Sequence, residues 1–492
     1  MSSEGKPCAG AQSQAAQAAT AQNASKQTDA LQISYHGIAA RMDRLPISNF
    51  HRKLLWLLGG VVFCDSIDMG IGGPIIAQLL ATGWSDAGLN SLFVSITMLG
   101  YFFGGLMAGA LSDSIGRKKA VIIFCLFFTV GCFAAAFSPD MYFLIVCRFI
   151  MGLGLGAAYP AAYSALMEFT PAAGRGQYQA YVGLIANTGT LVASALNLLI
   201  LPLIGWRPVF IFCGFLGLFM AFLCAKFLQE SPRWLAMMGR DQEANAIVTK
   251  FEDDVCSRGI ALAPVPDQEI KEREEQGEVK QLPWKFLFSK KMLTRTLTAM
   301  FLCFAMNVCV YTVVTWTPTI FVMRGFDVGY SVMMTVVMQL GIPVGVGLLS
   351  LYVEKVNRKT ILIVSFILIA VLGYGWSLIP ADNVYLVMFV GFLVCMVTYT
   401  NSVTISAIYL PEPFPTACRT RGAGIANAFG RIAGVISPIW ITALLATSLG
   451  ATAVYMLNAG IAIFMAIWVA IFAVETRGKT LEEINDGVLG KE

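Results

Sequence analysis

Gly109-Ala-Leu-Ser-Asp-Ser-Ile-Gly-Arg-Lys-Lys119 occurs twice in this chain, the second time in worn form as Ser350-Leu-Tyr-Val-Glu-Lys-Val-Asn-Arg-Lys359. The copies start 241 residues apart, and other landmarks recur at nearly that offset. Glu168-Phe-Thr-Pro171 with Arg175 returns as Glu412-Pro-Phe-Pro415 with Arg419, and Glu230-Ser-Pro-Arg233 returns loosely as Glu475-Thr-Arg-Gly478. A hydrophobic chain of two matched halves is the organisation expected of a secondary transporter with parallel repeats.

The surrounding composition points to a membrane. Of 492 residues, 57% are hydrophobic and only 13% charged, whereas soluble domains carry roughly 25% charged residues. The net charge of +4 is too small to argue for nucleic acid. Six of the twelve cysteines (Cys64, Cys125, Cys132, Cys213, Cys303 and Cys395) sit inside apolar runs and read as small fillers. No CxxC pair or Cys/His cluster has metal spacing, and His36 and His51 are the only histidines. No phosphate loop or hydrolase elbow is present, and Gly152-Leu-Gly-Leu-Gly156 lies in an apolar run that follows no strand. Neither an enzyme nor a cofactor is expected; the driving force would be a proton gradient.

Apolar stretches long enough for a bilayer of ~30 Å fall near 54–80, 91–111, 120–138, 142–166, 179–201 and 208–228, then near 294–320, 330–351, 360–380, 384–410, 422–446 and 451–474. The expected fold is all-α, with twelve transmembrane helices in two pseudo-symmetric six-helix bundles, 51–228 and 291–476. Residues 1–50 are expected to be a disordered N-terminal tail, its first thirty rich in Ala, Gln and Ser without an apolar signal region. Residues 229–290 form a charged linker and 477–492 a short C-terminal tail. Loops after spans 2, 4, 8 and 10 hold Arg117, Lys118, Lys119, Arg175, Lys355, Arg358, Lys359, Arg419 and Arg421. The opposite loops offer Arg207 and Arg324. The positive-inside rule then places both termini and the linker in the cytoplasm.

Within the doubled signature, Gly109 is expected to let a neighbouring helix approach. Asp113 and Arg117 stand where span 2 meets the cytoplasm and would hold the inner side closed, with Glu354 and Arg358 as their counterparts. Glu168 with Arg175 and Glu412 with Arg419 join this set of gating candidates. Alternate glycines Gly152, Gly154 and Gly156 make a smooth face on span 4. Arg148, inside the same run, is expensive in a membrane unless it faces the bundle interior and finds a partner. That partner is expected in span 1, where Asp65 and Asp68 share one helix face. Two acids so close in a dry site should not both ionise, and a carboxylate alternating between a proton and an arginine is a proton-coupling device.

The spacing Gly-x-Leu-x-Asp-x-x-Gly-Arg-Lys resembles the signature of the major facilitator superfamily, whose fourth helix carries an arginine like Arg148. Its second copy keeps Glu354, Arg358 and Lys359 but has Ser350 and Asn357 for glycine, which implies a looser gate in that half. Asp65-Ser-Ile-Asp68 resembles the Asp-Gly-x-Asp of aromatic acid:proton symporters, with serine for glycine. Asp68 also matches the span 1 aspartate of sugar porters and is the stronger candidate for protonation, while Asp65 stands closer to the inner mouth. Glu230-Ser-Pro-Arg-Trp-Leu235, Tyr409-Leu-Pro-Glu-Pro-Phe-Pro-Thr416 and Glu475-Thr-Arg-Gly-Lys-Thr-Leu-Glu-Glu483 are shared by sugar porters, organic ion transporters and metabolite:proton symporters.

The cavity-facing spans discriminate within that clan. Span 7, Asn307-Val-Cys-Val-Tyr-Thr-Val-Val-Thr-Trp-Thr-Pro318, lacks the paired glutamines of sugar porters. Span 11 carries Arg431, about 13 Å along the helix from Gly422 at ~1.5 Å per residue. This arginine is similar to one in organic acid symporters and absent from sugar porters, and a guanidinium suits bidentate capture of a carboxylate. Tyr311, Trp316, Tyr399, Asn401, Asn427 and Tyr159 are candidates to complete the site, with Asn187 and Gln339 as polar groups in apolar runs. Span 5 lacks the Gly-Pro-rich pattern of drug exporters, which favours uptake. The expectation is a monomeric, proton-coupled importer of a small organic anion, an aromatic or heterocyclic carboxylate, in a bacterial inner membrane. A sugar or polyol porter and a non-transporting sensor are the rival readings.

Overall fold

Each half of the chain folds into the same six-helix arrangement. The structure, a computed structural model, describes residues 34–171, 175–265, 284–352, 355–380, 382–410, 412–415 and 418–476. Among these residues the secondary structure is helical and no strand occurs. Twelve helices have membrane-crossing length and composition. Spans 1–6 are Asn49–Ala81, Ala87–Ile115, Arg117–Ala136, Met141–Phe169, Tyr181–Ile204 and Arg207–Phe227. Spans 7–12 are Leu293–Met323, Val328–Leu349, Arg358–Ser377, Val384–Ser406, Arg421–Leu445 and Ala451–Phe472.

In the first bundle span 1 packs on 5, span 2 on 4, and span 3 on 4 and 6. The second bundle repeats this with 7 on 11, 8 on 10, and 9 on 10 and 12. The bundles meet along two seams, span 2 against 11 and span 5 against 8, which the internal symmetry exchanges, and where span 1 meets span 7. Large apolar side chains such as Phe215, Phe222, Leu203, Tyr385 and Phe389 stay exposed on the outer wall. That is the surface a hydrocarbon solvent demands.

Small residues set the closest helix approaches. A Cβ on Gly152 or Gly156 would strike the span 2 backbone at Thr97 and Tyr101, and one on Gly154 would meet Phe124 O of span 3 at 2.6 Å. The glycine run of span 4 therefore serves two neighbours. Gly109 does not behave as the sequence suggests: it is exposed, and an added Cβ would meet nothing within 4 Å. The close-packed glycines of span 2 are Gly100 and Gly104, whose added Cβ atoms would meet span 4 backbone at Phe149 and Leu153.

The doubled signature builds matching helix starts. Gly116, at φ +97°, leads into span 3, and Glu230 accepts hydrogen bonds from the amides of Arg117 (2.7 Å) and Lys118 (3.2 Å). In the second half Glu475 accepts from the amides of Arg358 (3.0 Å) and Lys359 (3.1 Å). Carboxylates at helix N-termini satisfy orphan amides and complement the dipole. Asn357 caps span 9 at φ −59°, so the second turn needs no left-handed residue. The lost glycine reflects a different turn, and the carboxylate cap is kept. Gly116→Ala should cost about 1–3 kcal/mol through its positive φ and a clash with the Glu230 carboxyl group. A lowered thermal midpoint of the detergent-solubilised protein would register it.

Part of the segment assigned to the N-terminal tail is ordered. Helix Tyr35–Asp43 lies against helices Pro232–Met237 and Asp241–Cys256. Arg41 donates to Glu252 (2.7 Å), Asn245 (2.5 Å) and Thr249 (3.0 Å), Arg44 donates to Glu252 (2.6 Å), and Arg233 to Asp43 (2.8 Å). Burial opposes the charge on Glu252, yet the two guanidinium groups hold its carboxyl below the usual carboxylate range. Charge pairing, invisible without knowing which helices adjoin, orders residues whose composition reads as a tail.

Candidate functional site

Among the described residues, four charged side chains lie deep within the spans: Asp65 and Asp68 on span 1, Arg148 on span 4 and Arg431 on span 11. Asp68 is fully buried and accepts from Arg148 at 2.5 Å. Arg148 Nε donates to Thr97 at 3.2 Å, and its guanidinium lies 4.9 Å from the Phe93 ring centroid. The expected pairing is present, inside the first bundle.

Arg431 projects from span 11 at the seam with span 2. It donates to the Tyr311 hydroxyl at 3.3 Å and lies 5.6 Å from the centroid of Tyr101. One turn on, Gly434 packs against Tyr311 and Met98, so the absence of a side chain there lets span 11 reach span 2. The Tyr101 hydroxyl is 3.5 Å from Asp68 and also interacts with Asp65, while Asp65 and Arg431 interact electrostatically across the seam. Tyr101 thus joins the acids of one bundle to the arginine of the other.

The other candidates divide. Tyr159 is partly exposed and packs 4.8 Å from Tyr163 by ring centroids, interacting electrostatically with Asp65. Tyr399 is half-buried and near Tyr311. Asn427 lies one turn before Arg431 on the same helix face, exposed, with its amide donating to Ala423 O. Asn401 is no cavity group: it is buried and donates to Ser365 of span 9 at 2.6 Å. Gln339 accepts from Ser194 of span 5 at 2.8 Å, closing the other seam. Trp316 is buried beside Thr315, which abuts Gly73 of span 1. A polar residue in an apolar helix can satisfy itself on a neighbouring helix, as Asn401 and Gln339 do. The Asn187 side chain lies outside the described residues.

At the basic face Arg117 joins Asp113 (2.6 Å) and Glu168 (2.7 Å), so three gating candidates come together. Trp234 donates to Asp113 O, tying the linker to them. Glu354 and the side chains of Arg175 and Arg419 lie outside the described residues. Arg358 is buried at the start of span 9, and Glu412 accepts from the Thr476 hydroxyl. Sequence reading missed Tyr101, Thr97 and the capping roles of Glu230 and Glu475. The recurrence of the two glutamates at the repeat offset was the available signal for the last.

Among the described residues, the seams close on the side away from the termini. Gly73 meets Thr315, Gly329 meets Pro202, and Gln339 bonds Ser194. The first half of span 8, Val328–Gln339, contacts span 5. Two six-helix bundles with buried charges where they meet are the build of a membrane carrier. The chain belongs to the sugar (and other) transporter family, whose sequence model matches residues 16–487, and is thus a major facilitator carrier related to sugar porters. The inner membrane metabolite transport protein YdjE of Escherichia coli is 35% identical, over 92% of this chain and 99% of that protein. The niacin transporter NiaP of Acinetobacter baylyi is 29% identical over 91% and 99%. The inward-open xylose transporter XylE of Escherichia coli shares the fold at TM-score 0.70 and 20% identity, covering 89% of this chain and 99% of its own.

Proposed function

We propose that this carrier imports a small organic anion, an aromatic or heterocyclic carboxylate, together with protons. Arg431 carries the reading: a guanidinium at the bundle seam, held by one neutral hydroxyl and a tyrosine ring, keeps donors for a ligand carboxylate. Tyr101, Tyr311 and Tyr159 supply aromatic surface around it. The niacin transporter among the relatives carries a heterocyclic carboxylate, in line with this chemistry. One of the span 1 acids takes the proton, and the halves rock around the loaded site. The Asp113–Arg117–Glu168 cluster resets the basic face, which the positive-inside rule makes cytoplasmic, with both termini. The setting is a bacterial inner membrane and the working unit a monomer.

The family favours a sugar or polyol:proton porter as the second reading. Counterflow in proteoliposomes separates the two. Nicotinate and benzoate should exchange while xylose and inositol do not; the reverse result would assign the cavity to sugars.

A further inference from the structure

The four mid-span charges cancel, two carboxylates against two guanidinium groups. They are not equivalent. Asp68 and Arg148 are locked together within one bundle, and no anion besides Asp68 is bonded to Arg148 among the described residues. Asp65 and Arg431 interact electrostatically from different bundles, with no hydrogen bond between them among the described residues. The Asp65 Oδ1 atom is buried and has no hydrogen-bond partner among the described residues. A buried carboxylate oxygen left in that condition is costly unless protonated or paired. Tyr101 on span 2 hydrogen-bonds Asp65, and Tyr159 and Tyr163 on span 4, Arg431 on span 11, and Asp68 and Cys64 of its own helix interact with it electrostatically. Span 5 presents Gly189 and Thr190 to span 1 here. Arg431 is thus the cation across from Asp65.

We propose that Asp65, and not the ion-paired Asp68, accepts the transported proton, and that a substrate carboxylate drives this by taking Arg431 from it. This inference rests on the organic-anion reading above. When the substrate carboxylate binds Arg431, the site gains one negative charge and Asp65 loses its cation. One proton on Asp65 restores both the balance and its missing partner. A monocarboxylate therefore enters with one proton and the loaded site is neutral. Leaving the site, the substrate returns Arg431 to Asp65, which releases the proton on the same side. Coupling follows from competition between two carboxylates for one guanidinium.

The test uses full-length protein in pyranine-loaded proteoliposomes, with nicotinate and benzoate as probes. Wild type should take up one proton per monocarboxylate and give no net charge movement on a solid-supported membrane. Asp65→Asn should keep nicotinate counterflow but lose pH-driven accumulation. Asp68→Asn combined with Arg148→Gln removes a whole ion pair, keeps the charge balance and leaves Asp65 in place; it should still accumulate. Accumulation by Asp65→Asn at the wild-type level would overturn the assignment, as would a folded double variant that exchanges without accumulating. If wild type exchanges neither carboxylate, the anion reading itself falls and this inference with it; exchange by wild type with normal coupling in Asp65→Asn sinks the inference alone.

Discussion

Arg431→Ala should reduce carboxylate uptake by about 100-fold or more at unchanged protein level. Truncating one partner of a buried charged pair costs roughly 2–5 kcal/mol, and 2.7 kcal/mol is already a factor of ~100. The loss should appear as weaker binding of nicotinate, because the guanidinium is the donor offered to the ligand. Arg431→Lys should recover part of it. An ammonium restores the charge but not the planar fork, so a deficit on the order of 10-fold should remain. Arg431→Lys should keep its thermal midpoint, because an ammonium still offsets Asp65, whereas Arg431→Ala should lower it by leaving Asp65 without a cation. Uptake retained in Arg431→Ala would remove the anion from this site.

Asp68→Asn should damage both stability and coupling. It strands Arg148, whose other contacts are the Thr97 hydroxyl, the Met151 sulfur and the Phe93 ring, none of them anionic. Breaking a buried pair by removing one member costs about 3–5 kcal/mol, a loss the thermal midpoint of the purified protein should reveal. The site is then left with a surplus positive charge, which an incoming monocarboxylate neutralises without a proton. Accumulation driven by a pH gradient should vanish while exchange of labelled for unlabelled substrate survives. Adding Arg148→Gln should restore most of the lost stability. A single variant as stable as wild type would mean that Asp68 and Arg148 do not depend on one another.

The fold was legible because its signals are local and repeated. Apolar runs of bilayer length, basic loops at alternate ends and a signature recurring after 241 residues need no knowledge of which helix touches which. The ion pair was legible for a related reason: a membrane arginine must find an acid, and span 1 offered two. Rotation of each helix about its axis was not legible. Asn401 and Gln339 are polar groups in apolar runs, as Arg431 is, yet they turn toward Ser365 and Ser194. Tyr101 looks like one more aromatic of span 2 until span 11 is laid beside it. Two stretches of wider helix, Thr312–Trp316 in span 7 and Thr404–Tyr409 in span 10, shift the phase of the residues beyond them. A constant 3.6-residue period therefore misplaces Trp316.

Helix Tyr35–Asp43 is fastened through Arg41, Arg44 and Asp43 to Glu252 and Arg233, all on polar segments that follow span 6. Its buried Ile38 and Met42 share a core with the first bundle, so it should move with that bundle as a rigid handle. A fluorophore on this handle, paired with a second at the start of span 9, would form a molecular ruler across the basic face. The distance between them would read out each rocking event in a single carrier, with no label in the substrate path.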